Sequence, residues 1–539
     1  MVKRRLRITA LLLATVMLLS GCSLDGYLAE LRDMVSYYDM VPYENMEYSR
    51  PSMSQLQKQL EESCDTIMQA KKLAEAEQAI HAFYDAYDRF YTDYNLADLH
   101  YCKDLTDIYW EKEYNFCAEN APAADAALEE LYCAIADSPH REAFEGEGYF
   151  GAGYFDAYEG EESHWDEAFL ALLEQEAQLQ SEYYDLSDQA MNAEYYSEEY
   201  FRVYGIQMEE LFVELVKLRQ EIAEYAGYSS YPEFAYDYYY YRDYTPSQAE
   251  DYLLQVGEEL YDIYYQVNLS DPWSDAYDYC SEAQTFAYVK AAAEAMGGIP
   301  KDAFTLLEEA GLCDISYGEN KYNSSFEVYL WSYYAPFIFM NPYLDQTDKL
   351  TFAHEFGHFA NDYACNGSYA GTDIAEVHSQ AFEYLSLCYC QDTQALTAYK
   401  MADSLCTYME QAAYALFEQQ VYGLGGEELT VENVEKLYRN IGTEFGLDSW
   451  GWDSRDYVTV THFYTNPMYV VSYVVSNDLA MQIYQLELEE KGAGLSLYEQ
   501  CLYSQDSYIM TFAEDYGLEN PFAEGRLEAV LEIFQRELA

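Results

Sequence analysis

Basic charge is what this sequence is poorest in: 28 Lys and Arg face 97 Asp and Glu over 539 residues, a formal charge of -69. Nucleic acid and anionic membrane surfaces would repel such a chain across a Debye length, which excludes both as partners. Long apolar runs are missing as well. The stretch Ile8 to Leu19 has 12 residues, against about 20 for a bilayer span. Among the 12 cysteines no CxxC pair occurs, so neither a cysteine zinc cluster nor a disulfide framework is demanded. Strand-like alternation, repeats of 20 to 50 residues and Ser/Gly linkers are absent too, which argues against sandwiches, solenoids and loosely tethered modules. Disorder is excluded by what is present: half of the residues are hydrophobic, and 62 Tyr and 25 Phe must be buried or stacked.

Lys3, Arg4, Arg5 and Arg7 precede the short apolar stretch, and Leu19-Ser20-Gly21-Cys22 follows it. This reads as a signal peptide over residues 1–21. The ending resembles the bacterial lipobox, which implies that Cys22 is lipidated and begins the mature chain. The expected location is the bacterial cell surface, at the outer face of the cytoplasmic membrane, with attachment through that lipid alone. The leader carries four basic residues and no acid, so its removal takes the formal charge to -73. Most of the remaining 11 cysteines read as small buried hydrophobes.

Beyond the leader, apolar residues recur at three- and four-residue spacing, as in Ser54 to Leu96 and Asp166 to Met191, and predict a mainly α protein. Residues 22–200 are expected to form an N-terminal helical lobe and 201–539 a catalytic lobe. Glu145 to Gly160, rich in Gly and Tyr, reads as a loop or hairpin. Thr245 is placed to cap a helix that has Pro246 at its first position. The aromatic and β-branched segment Glu327 to Asn341 predicts one or two strands of a small sheet.

The strongest chemical signal is His354-Glu355-Phe356-Gly357-His358. On a helix the two histidines of HExxH point the same way and can share one Zn²⁺, with Glu355 beside them as a base. At about 100° per residue, Phe352, Phe356, Phe359 and Tyr363 form one apolar stripe, and His354 and His358 fall opposite it. Only eight histidines exist, and four of them, His354, His358, His378 and His462, lie within residues 354–462. A metzincin would need Gly at 361 and His at 364, where this chain has Asn361 and Ala364. The third ligand is therefore sought on the next helix, where Glu376, Gln380 and Glu383 make one polar stripe. Glu376 is the first candidate, with Gln380 and Glu383 orienting the ligands. Asp373, Glu383 and His378 are its rivals.

HEFGH followed by Glu376-Val377-His378-Ser379-Gln380-Ala381-Phe382-Glu383 resembles the thimet oligopeptidase and oligoendopeptidase F family of zinc peptidases. The resemblance implies His354, His358 and Glu376 as ligands of one Zn²⁺ per chain and Glu355 as the catalytic base. His378 stands where Pro or Ala is usual, and the interval between the two motifs is short. The segment Thr461-His462-Phe463-Tyr464-Thr465-Asn466-Pro467-Met468-Tyr469-Val470-Val471-Ser472-Tyr473 is similar to the family's stretch that offers a His and Tyr hydroxyls to the reacting carbonyl. This implies catalytic roles for His462, Tyr469 and Tyr473, with Val471 in place of a further Tyr. Pro467 is expected at the first position of a helix capped by Asn466, leaving His462 on a loop. Leu215 to Tyr228 and Pro336 to Asn341 extend the similarity. In the family the latter is a cleft-lining strand that can pair with substrate. Arg219 and Arg242, in family-like segments, are assigned packing or ion-pair roles.

The resulting expectation is a two-lobed helical zincin-type peptidase with a small β-sheet beside the zinc-site helix and a deep channel. Its expected activity is zinc-dependent hydrolysis of internal bonds in oligopeptides, with neutral or cationic peptides favoured by the chain's acidity. A non-catalytic lipoprotein that binds peptides for import is the competing reading, and the intact Glu355 speaks against it, since binding needs no base.

Overall fold

A computed structural model describes residues 41–146, 150, 153–155, 158, 167–190, 200–270, 276–367, 370–504 and 506–538. The leader, Cys22 and most of the Gly- and Tyr-rich segment 145–160 lie outside the described residues. Among those described, no helix is long and apolar enough to cross a membrane.

Helices α1 (Met53–Gln69), α2 (Leu73–Lys103) and α3 (Ile108–Ala136) open the fold. They pack around Leu56, Leu60, Ile67, Phe83, Leu131 and Ile135, a core distinct from the main one. The stretch from Ser54 to Leu96 is thus two helices rather than one, broken at Ala70 to Lys72. Neither Gly nor Pro marks that break. Helix α4 (Glu167–Ala190) follows, and its Phe169, Leu173 and Tyr183 belong to the larger core of the catalytic half.

Helices α5 (Ile206–Tyr225), α6 (Tyr231–Tyr238), α7 (Pro246–Ser270), α8 (Glu282–Met296) and α9 (Gly298–Ala310) lead to the sheet. Thr245 caps α7 as expected: its Oγ1 accepts from the Gln248 N–H at 3.2 Å, and Gln248 Oε1 accepts from the Thr245 N–H at 2.9 Å. Strands β1 (Cys313–Asp314), β2 (Ser325–Leu330) and β3 (Ala335–Met340) stand in the order β1-β3-β2. The two strands foreseen near 327–341 are present, and β1, only two residues long, gave no signal. β3 is the central strand, antiparallel to β2 over all six residues and parallel to β1 at Ile338 and Phe339. This corrects the family-derived role of a substrate-pairing strand, because the β3 backbone is already paired.

Two helices then carry the candidate site: α10 (Asp348–Cys365), which packs on β2 and β3, and α11 (Thr372–Tyr389). Phe352, Phe356 and Phe359 are fully buried, against Phe286, Phe304 and Phe382. The apolar stripe of α10 therefore faces the core, and its other side is left for His354 and His358. Helices α12 (Gln394–Cys406), α13 (Ala412–Val421), α14 (Val431–Glu444), the short α15 (Thr461–Thr465) and α16 (Val471–Glu489) complete the catalytic half, with three C-terminal helices behind them. All 11 cysteines from Cys64 onward are free thiols, four of them buried and the others half-buried. That is fewer buried thiols than expected.

Candidate metal centre

Helices α10 and α11 approach each other most closely at Gly357. A β-carbon there would lie 2.5 Å from Ser379 Cα and 2.7 Å from the His378 carbonyl oxygen. Only glycine allows this contact. The close approach brings Glu376 of α11 opposite His354 and His358 of α10.

His354 Nε2 lies 3.3 Å and His358 Nε2 3.9 Å from the Glu376 carboxylate. One ligand atom from each residue falls within 4.8 Å of the other two. Tetrahedral zinc with bonds near 2 Å separates its ligand atoms by roughly 3.3 Å, so this donor set fits a Zn²⁺ with small adjustments. The His354 Nδ1–H donates to Glu383 at 2.8 Å, which turns Nε2 toward Glu376. Lys400 Nζ of α12 holds the other Glu383 oxygen at 2.7 Å. Glu383 thus orients a candidate ligand, as read from the sequence. Gln380 does not: its amide donates to Ser476 Oγ at 3.0 Å and to the Tyr473 carbonyl, anchoring α16 instead.

The rivals for the third position lie elsewhere. His378 is fully buried and its Nε2–H meets the Cys501 carbonyl at 3.0 Å, on the far side of α11. Asp373 accepts from Arg242 and from Tyr244 Oη at 2.8 Å, inside a buried network.

The electrostatics suit a cation. Burial opposes ionisation of Glu376, yet hydrogen bonds from His354 and Tyr469 and the charge of His354 hold its pKa down to about 2. Burial likewise works against a charged His354, and the Glu376 and Glu383 carboxylates outweigh it and raise its pKa well above the ordinary value. His358 is pushed down to about 4 by burial. A metal entering here displaces the proton that His354 otherwise holds between two carboxylates. Glu355 is buried, and that burial lifts its carboxyl to about 7, within reach of proton exchange at neutral pH.

His462, Tyr469 and Tyr473 converge on the same place. Tyr469 Oη donates to Glu376 at 2.6 Å, and Tyr473 Oη lies 3.3 Å from His462 Nε2. Burial keeps His462 neutral and both phenols protonated, with Glu376 reinforcing the shift of the tyrosines. The backbone differs from expectation: His462 sits in α15, and Asn466 to Val470 form a turn, so that α16 begins at Val471 rather than at Pro467.

That turn is held by side chains from distant elements, which spacing in the sequence does not reveal. The fully buried Arg219 of α5 pairs with Glu176 at 2.6 Å and donates to the Phe463 carbonyl at 2.7 Å and to that of Tyr464. Arg242 donates to the Met468 carbonyl at 2.9 Å and to Ser472 Oγ at 2.9 Å. Tyr240 Oη donates to the Pro467 carbonyl, and Glu418 accepts from the Met468 N–H, each at 2.8 Å. Met468 is left-handed, with φ of 69°, a conformation that costs of order 1 kcal/mol or more for such a residue. The surrounding bonds offset that cost. The ion-pair role given to Arg219 and Arg242 is therefore half of their work, since both also aim the backbone that carries His462 and Tyr469.

Arg219→Ala is expected to destabilise the protein by about 3–5 kcal/mol, because it strands the Glu176 carboxylate and two carbonyls. Arg219→Lys should recover only part, lacking the planar fork. Thermal unfolding followed by circular dichroism measures both. Equal melting temperatures for wild type and Arg219→Ala would show that the guanidinium does not hold this turn.

Comparison with known proteins agrees with the motifs. Residues 43–162 match the sequence pattern of the Peptidase M3 N-terminal domain. A candidate oligoendopeptidase F aligns with a TM-score of 0.82 at 21% identity, covering 92% of this chain and 98% of its own. PZ peptidase A with an inhibitor gives 0.81 at 19% identity, and a candidate oligoendopeptidase F from Bacillus anthracis str. Ames 0.79 at 19%, each covering 92% of this chain and 98% of that one. Such identities establish the fold, and they do so over nearly the whole of both chains. Among curated proteins, none matches this sequence.

Proposed function

The chain carries a peptidase M3 N-terminal domain on the fold of oligoendopeptidase F, and from that premise we propose that it is a zinc-dependent endopeptidase of short peptides. That it is a peptidase rests on the family. Its zinc dependence rests on one observation, the meeting of His354, His358 and Glu376 at a point that Glu355, His462 and Tyr473 also face.

Zinc held by His354, His358 and Glu376 would supply Lewis acidity at the scissile carbonyl. The chain's own groups do the rest. Glu355, with a carboxyl near neutrality, takes a proton from the attacking water and returns it to the leaving amide nitrogen. His462 and Tyr473, both kept neutral and able to donate, stand where charge develops on the carbonyl oxygen. Tyr469 is engaged on Glu376 and serves to fix that carboxylate. Glu383 and Lys400 keep the His354 ring in one orientation.

The basic and apolar leader, with Leu19-Ser20-Gly21-Cys22, supports lipidation of Cys22 and a place on the outer face of the cytoplasmic membrane. There the mature chain would act on peptides reaching the cell surface.

Hydrolysis of a quenched fluorescent peptide of about ten residues tests the reading. Chelator should remove the activity and stoichiometric zinc restore it. A peptide that is bound yet left uncut, with or without zinc, would support the import reading instead.

A further inference from the structure

A cavity of about 470 Å³ lies between the N-terminal helices and the turn that follows His462. Tyr94, Tyr114 and Tyr184 line one side with their rings in mutual contact, their centroids 5.7 Å and 6.3 Å apart in that order. Tyr239 and Tyr240 line the other side, next to Thr465, Asn466 and Pro467. The Tyr240 ring meets that of Tyr469 at 6.2 Å, and Tyr469 donates to the candidate ligand Glu376. One aromatic layer therefore separates the cavity from the metal centre.

Two carboxylates line it, Asp125 and Glu176, and no basic side chain does. Glu176 is already neutralised by Arg219 at 2.6 Å. Asp125 is not: Tyr87 and Tyr91 donate to it at 2.8 Å and 2.5 Å, both on the same oxygen. Among the described residues no Lys, Arg or His pairs with it. A chamber with tyrosine faces as walls and one uncompensated carboxylate is complementary to a cation, which gains from the ring quadrupoles and from the counter-ion together. A second carboxylate entering it would be repelled.

Taking the peptidase reading as its basis, we propose that this cavity is a substrate subsite that seats a positively charged nitrogen group of the peptide, with Asp125 as its counter-ion and the tyrosine rings as its walls. The group is a lysine or arginine side chain, or the peptide's own terminal ammonium. Net charge alone predicts a preference for cationic peptides that is spread over all positions and screened by salt. A subsite predicts one position, and persistence at high salt.

The test uses zinc-loaded full-length enzyme and N-acetylated ten-residue peptides in which a single lysine, or glutamine in its place, is walked along the chain, with cleavage followed by mass spectrometry. One position should favour lysine over glutamine by roughly tenfold in kcat/KM, mainly through KM. Acetylating that lysine on its ε-amine should erase the advantage, and Asp125→Asn should bring the ratio toward one. If removing the N-terminal acetyl group creates the tenfold effect and lysine walking does not, the terminal ammonium is the occupant. Peptides cut with no positional advantage for either cation, or an advantage unchanged in Asp125→Asn, would overturn the subsite while leaving the peptidase reading intact. Failure to cut any of them would overturn that reading itself. The ε-acetyl comparison is made in wild type, so the outcome does not depend on how well the Asp125 variant folds.

Discussion

Glu355→Gln is expected to lower kcat on a ten-residue peptide by roughly 10²- to 10⁴-fold while leaving zinc content and peptide binding close to wild type. The amide keeps the size and much of the hydrogen bonding of the carboxylate, and it cannot take a proton. Glu355 is not among the three candidate ligands, so its loss should not empty the site. The wild-type rate should also fall on the acid side. Burial raises this carboxyl to about 7 against the charge of His354; a base acts only when ionised, so activity is lost as pH drops through that value. A bound cation lowers the value, placing the limb at or below about pH 7. Steady-state kinetics with metal analysis decide the matter. A variant within threefold of wild type would remove Glu355 from the chemistry.

Gly357→Ala is expected to act on the same site through the backbone. By helix propensity alone the change would stabilise α10 by about 1 kcal/mol. The added methyl would stand 2.5 Å from Ser379 Cα and 2.7 Å from a carbonyl oxygen, well inside contact distance, and both obstacles are main chain that no rotamer moves aside. Overpacking of this kind costs about 1–3 kcal/mol and pushes the helices apart. Separation by about 1 Å carries Glu376 away from His354 and His358, and misplacement on that scale costs of order 10²-fold in rate. Zinc affinity by chelator competition and melting temperature should both fall. An alanine variant that matched wild type in both would show that the crossing tolerates a side chain.

These two residues stand in a five-residue motif, and most of the metal centre was legible there. His354 and His358 share a face because four residues make about one helical turn, and the phenylalanines opposite declare which side goes to the core. Glu376 was identified by its own stripe, together with the family resemblance. Gln380 misled because stripe position alone says where a side chain starts, not what meets it. It points to α16, which no local pattern places next to α11. The helix start at Pro467 failed for a related reason. Asn466-Pro467 has the local chemistry of a cap, but Arg242, Glu418 and Tyr240 satisfy the backbone of a turn instead.

The acidity with which the reading began gained a location rather than a new meaning. Composition excludes polyanionic partners, and the cavity beside Asp125 indicates where a cation would be preferred. By itself, the sequence determined everything that follows from periodicity and short spacing: the helical class, the small sheet, the metal-binding pair, its base and its third ligand. Tertiary structure decided which groups hold the oxyanion side of the site. Arg219, Arg242, Glu418 and Lys400 come from four separate helices or loops, and their meeting with the site depends on how whole helices pack. Packing is set by the summed shape of many buried side chains, and no window of a few residues contains it.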